Sequence, residues 1–247
     1  PNTKKPQNGY PVLIINHGYI NTKLYDIINS YKTITDYFSS KGYLVLKPDY
    51  RGNGNSEIDN EALMRFSYPI DVLNLISSVE NIEDADKNSI FLWGHSMGAE
   101  VTLKVLEIAS QDKTLNGKIK AAVLWAPVAD TVRWFEKNHV LTLPEANLIP
   151  FPYEKTFEIL GTPEKNPVLW NSLSPLSYLS DINIPVQINH GTDDQTVPYS
   201  WSIELYDDFL SLNKKTTLNL YPDDNHNLSN SFNEVTQNNL NFFNNYK

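Results

Sequence analysis

The sequence predicts an α/β fold: a mostly parallel, doubly wound sheet with helices on both faces and an inserted cap. Three observations carry that reading. Short apolar runs alternate with helix-length amphipathic segments, as βαβ units require. The runs at 10–16 and 89–93 are apolar at consecutive rather than alternate positions, the mark of strands covered on both faces. Between residues 131 and 181 the alternation stops, and prolines and aromatic residues crowd together.

In chain order, Tyr10 to Asn16 is the first strand. From 29 to 40, Tyr31, Ile34, Tyr37 and Phe38 recur at helical spacing, and Gly42 marks the stop. Tyr43 to Lys47 is a strand ended by Pro48. From 60 to 81, Leu63, Phe66, Ile70, Leu73 and Ile76 mark a helix, with a kink or break expected at Pro69. Ser89 to Trp93 is a strand, and Met97 to Ser110 a helix carrying Val101, Val105, Leu106 and Ile108. Lys120 to Trp125 is a strand closed by Pro127. Strands at 185–189 and 217–221 follow, then a helix from 229 to 246 with Phe232, Val235, Leu240 and Phe243.

Seven of the fifteen prolines lie between Pro144 and Pro185, so no single long helix can form there. Residues 131–181 are therefore expected as an inserted helical cap on a core of 1–130 and 182–247. Its aromatic residues either cover the core or shape a pocket. On the functional reading, Trp134, Phe135, Phe151, Tyr153 and Trp170 line a substrate pocket together with His95.

Composition narrows the chemistry. Of 247 residues, 40% are apolar, enough for a sizeable core. Acidic residues outnumber basic ones 29 to 20, without a Lys/Arg run, which argues against a nucleic-acid partner. The chain has no cysteine, which excludes disulfides, thiolate catalysis and Cys-ligated zinc. No run of about 18 apolar residues is available to span a membrane.

Gly94-His95-Ser96-Met97-Gly98 has the form G-x-S-x-G, between an expected strand and an expected helix. A serine on so sharp a turn needs neighbours without side chains. The turn lifts Oγ clear of the sheet and leaves the Met97 N–H at a helix N-terminus, where it can hold an oxyanion. Such a serine needs a base, oriented by a carboxylate. Chain order behind such an elbow is serine, acid, histidine, and of the five histidines only His226 follows both. Asp193 and Asp194 both lie in the loop after the strand at 185–189. Asp223 and Asp224, so near His226 in sequence, are expected to solvate their loop. The loop Asn16-His17-Gly18-Tyr19 offers the Tyr19 N–H as second oxyanion donor.

These motifs, with Pro48-Asp49-Tyr50-Arg51-Gly52-Asn53-Gly54-Asn55-Ser56, Ser174-Pro175, His190-Gly191 and Val197-Pro198, make the chain resemble an α/β-hydrolase. The resemblance is nearest the esterase and prolyl-oligopeptidase-like branch and covers nearly the whole chain. In that branch the acid stands three residues before the Val-Pro pair, which selects Asp194. The resemblance implies a triad of Ser96, Asp194 and His226, no metal or cofactor, and a small-molecule ester as substrate, cleaved through an acyl-enzyme. The dense aromatic residues point to aryl or cinnamoyl esters. A peptidase, a thioesterase or acyltransferase, and a non-catalytic binding protein of this fold are the alternatives. Relatives usually carry a hairpin and a strand before the His-Gly strand. Those N-terminal strands are therefore expected to be missing from this chain, as is the propeller of the oligopeptidases.

Overall fold

The computed structural model describes residues 1, 3–21, 24–115, 117–139 and 152–247. Six strands, β1 (Tyr10–Asn16), β2 (Leu44–Leu46), β3 (Ala85–His95), β4 (Ile119–Trp125), β5 (Val186–Gly191) and β6 (Thr216–Tyr221), form one sheet. Its order is β2-β1-β3-β4-β5-β6, and every pairing is parallel.

The consecutive apolar residues of each central strand serve two cores. Val12 and Ile14 of β1, Ile90 and Leu92 of β3, and Ala122 and Leu124 of β4 face one way. They pack against α2 (Met64–Ser78), α3 (Met97–Gln111) and α7 (Ser200–Ser211). Leu13, Ile15, Phe91, Trp93, Val123 and Trp125 face the other way, against α1 (Lys32–Ser40) and α8 (Phe232–Asn244). Each fully buried aliphatic side chain contributes about 1.5–3 kcal/mol, so a two-sided strand is held from both faces.

Two details differ from the sequence reading. Pro69 neither breaks nor ends α2, which is continuous through it. The proline forfeits one backbone hydrogen bond, but its ring is buried with Tyr68 and Val72. The helix α7 between β5 and β6 carries no strong apolar stripe and was not anticipated; it buries only Ser202, Leu205 and Phe209.

Between β4 and β5 lie α4 (Thr131–His139), α5 (Tyr153–Leu160), α6 (Pro167–Leu173) and a 3-10 segment, Pro175–Asp181. Trp134, Phe135, Tyr153 and Trp170 join Val128 and Val197 in a third buried cluster, with Phe66, Phe157 and Trp201 against it. No helix among the described residues is long and apolar enough to cross a membrane.

The topology sets where chemistry can occur. From β1 the chain crosses to β2 on one side, then returns to β3 on the other. The carboxyl ends of β1 and β3 therefore meet at a switch point, where open α/β sheets form crevices.

Candidate active site

The elbow occupies that switch point. Ser96 follows the last residue of β3 with φ 56° and ψ −120°, a backbone that side chains rarely adopt. Two hydrogen bonds from the neighbouring strand end hold it there: Ser96 N–H to Trp125 O at 2.9 Å, and Val128 N–H to Ser96 O at 3.3 Å. Glycine is required on both sides. A Cβ on Gly98 would lie 2.6 Å from His17 O and closer still to Asn16 O. One on Gly94 would lie 2.8 Å from Ala99 Cα. The helix α3 can start so near β1 only because these side chains are absent.

Beside the elbow, the loop after β1 supplies Gly18 and Tyr19. The backbone N–H groups of Tyr19 and Met97 have no protein acceptor among the described residues, and Met97 opens α3. His17 is fully buried and stacked on Tyr50 at 4.3 Å between ring centroids. Burial pushes its pKa down to about 4, so it is a neutral packing residue.

The third and fourth parts come from the loops after β5 and β6. His226 Nδ1 lies 2.6 Å from Asp194 Oδ2. The other oxygen, Oδ1, accepts the N–H groups of Thr196 at 2.7 Å and Val197 at 2.9 Å. Burial would raise the carboxyl, but bonds from His190, His226 and Val197 outweigh it and hold Asp194 well below the usual carboxylate range. Asp193, the other candidate, is exposed. Ser96 and His226 face one cavity of about 420 Å³, with no direct hydrogen bond between them among the described residues. Such contacts are often long until substrate binds.

His95 links three loops. Its Nε2 lies 3.0 Å from the His226 carbonyl, which can only accept, so Nε2 carries the hydrogen. Its Nδ1 then accepts from the Tyr31 hydroxyl at 2.6 Å, and that hydroxyl accepts the Gly18 N–H at 2.8 Å. Burial, and next the neighbouring His226, push the His95 pKa down to about 3, consistent with this neutral tautomer.

The cavity wall corrects the sequence reading of the pocket. His95 lines it, and its aromatic residues are Tyr19, Tyr31, Trp93, Trp125 and Phe232. Trp134, Phe135, Tyr153 and Trp170 do not line it; all four are buried in the third cluster, at 7% exposure or less. They cover the core instead, because large rings on short helices gain more by packing on one another than by facing solvent. Phe151 lies outside the described residues.

Two further corrections concern polar residues. Asp224 does not solvate its loop: it is fully buried and accepts the N–H groups of Asn225, Asn230 and Ser231, shaping the turn that presents His226. Tyr31 reads as one more apolar helical position, yet it precedes α1 in a left-handed conformation (φ 59°) and turns its hydroxyl into the site. No periodicity signals that role. Among the described residues, no group of three or more histidine or acidic side chains is placed to hold a metal ion.

The model of the prolyl oligopeptidase family matches residues 29–247. The chain belongs to the prolyl oligopeptidase family. Proteins similar to the chain differ in what their names record. "Uncharacterized peptidase YtmA" of Bacillus subtilis is 25% identical over 72% of this chain and 62% of its own length. "Lysophosphatidylserine lipase ABHD12" of Danio rerio is 27% identical over 83% of this chain and 48% of its own length. The chain thus spans about half to three-fifths of these two relatives. Among solved structures, Est1E from Butyrivibrio proteoclasticus with bound ferulic acid superposes with a TM-score of 0.73, at 19% identity, over 98% of this chain and 92% of that one. Porphyromonas gingivalis dipeptidyl peptidase 4 gives 0.66 at 22% identity, over 97% of this chain and 31% of that one. At these identities the superpositions establish the α/β-hydrolase fold.

Proposed function

We propose that this family member cleaves carboxylic esters through an acyl-enzyme on Ser96, with His226 as base and Asp194 as its orienting acid. The observation that carries the reading is the 2.6 Å contact between His226 Nδ1 and Asp194 Oδ2, with His226 and Ser96 on one cavity. His226 takes the proton of Ser96 Oγ as the oxygen attacks the carbonyl carbon. The Tyr19 and Met97 N–H groups hold the resulting oxyanion. His226 then protonates the departing alkoxide. Water, deprotonated by the same histidine, attacks the acyl carbon and releases the acid, returning the proton to Oγ.

The rings of Tyr31, Trp93, Trp125 and Phe232 on the cavity wall support an aromatic acyl group, as in aryl or cinnamoyl esters. Residues 131–181 act as a cap in this reading; the aromatic side chains described in it pack into a buried cluster of their own. Ser96→Ala is expected to slow hydrolysis of a p-nitrophenyl ester by roughly 10⁴–10⁶. Undiminished turnover in that variant would sink the assignment. The family match favours a second reading, amide cleavage. Comparing p-nitrophenyl cinnamate with a prolyl p-nitroanilide separates the two: the ester reading expects the first to be turned over far faster.

A further inference from the structure

Five histidines are present, and the mechanism above uses one directly. His190 is fully buried at the end of β5, four residues before Asp194. A buried histidine is ordinarily a satisfied core residue. This one is bonded to the acid itself. Its Nε2 lies 2.8 Å from Asp194 Oδ2 and 3.1 Å from Val197 O. A carboxylate and a carbonyl both require a donor, so Nε2 carries the hydrogen. Its Nδ1 lies 2.6 Å from Ser202 Oγ of α7, which holds the ring from behind. Asp194 Oδ2 therefore receives two imidazole N–H groups, from His190 and His226, while Oδ1 receives two backbone N–H groups.

We propose that His190 is a positioning residue for the acid of this site, fixing the Asp194 carboxylate and limiting how strongly it holds the His226 imidazolium. This rests on the Ser96–Asp194–His226 reading. The first part is geometric: the carboxylate cannot rotate without breaking bonds to His190, Thr196 or Val197. The second is electrostatic. A donor on Oδ2 draws charge from the oxygen that also binds His226 Nδ1. Without it, Oδ2 keeps more of its charge and holds the His226 imidazolium more strongly.

The other groups near the carboxylate stay in place. His95 lies behind His226, Lys137 reaches the same loop through Thr196 O at 3.0 Å, and Asp193 is exposed beside it. A change confined to His190 therefore reads the shared oxygen.

The test compares His190→Gln with His190→Asn in the whole chain, following kcat/KM for a p-nitrophenyl ester from pH 5 to 9. A glutamine amide nitrogen falls near the place of Nε2, and an asparagine nitrogen near Nδ1. The asparagine variant is expected to lose about tenfold or more in kcat with KM little changed, and its acid limb to move up by about half a pH unit. The glutamine variant should keep the wild-type limb. Equal losses in both variants with an unmoved limb would show that His190 only packs. Where neither variant folds, Ser202→Ala gives the second reading: the limb should move the same way by less, and an unmoved limb overturns the proposal. Hydrolysis that survives Ser96→Ala would instead refute the triad itself, and with it the role of His190.

Discussion

Gly98 shows how one missing side chain fixes a site. Its backbone lies against the carbonyls of Asn16 and His17, so a methyl group there must push α3 away from β1. Gly98→Ala is expected to move the Met97 and Tyr19 N–H groups apart. The predicted outcome is a fall of 10²-fold or more in kcat for ester hydrolysis and a loss of several kcal/mol in stability. Kinetics and denaturant unfolding on the same preparation check both. The elbow and the acid-loop motif made these residues readable in the sequence, because steric need and spacing leave a local mark. Tyr31, His190 and Asp224 were not readable as site residues. Each is defined by hydrogen bonds that no motif or periodicity announces: Tyr31 with His95, 64 residues away, His190 with Asp194 and Ser202, and Asp224 with the turn ending at Ser231.

Helix α3 carries two carboxyl groups with opposite fates. Glu100 is buried, which alone would raise its pKa, yet Arg65 and Lys104 hold it down to about 2. Arg65 Nη2 lies 2.5 Å and Lys104 Nζ 2.8 Å from its oxygens. Glu107, two turns on, has one oxygen without a partner among the described residues, and burial pushes its pKa up to about 8. The folded chain thus keeps a proton there that the unfolded chain releases near its ordinary 4.5. That contribution is full below about 4.5 and is lost as pH rises through about 8. Glu107→Gln is therefore expected to gain in melting temperature over the wild type between pH 5 and pH 9, by a few degrees at the upper end. A difference that stays constant with pH would mean that Glu107 is not buried as described. The central strands β1 and β4 were readable at this scale, since two-sided burial demands near-unbroken apolar runs. The helix α7 was not, because a helix resting on a sheet edge needs few apolar residues.

At the scale of the molecule, the parallel sheet does one thing for function: it delivers four loop ends to one crevice. Those loops follow β1, β3, β5 and β6, and they carry Tyr19, Ser96, Asp194 and His226 in turn. The fold class and that loop order could be read from strand and helix alternation. The cavity wall could not, because its rings come from five separate places: the loop after β1, the residue before α1, the ends of β3 and β4 beneath the site, and α8. The dense aromatic stretch between β4 and β5 drew the sequence reading away from them, though it packs into a core of its own.

The central claim is that Ser96 is the activated nucleophile of this assembly. Intact-protein mass measurement after treatment with a fluorophosphonate tests it most directly. A single adduct is expected on the wild-type chain, mapped to Ser96 and absent from Ser96→Ala. An unlabelled wild-type chain, or an adduct that persists in the variant, would contradict it.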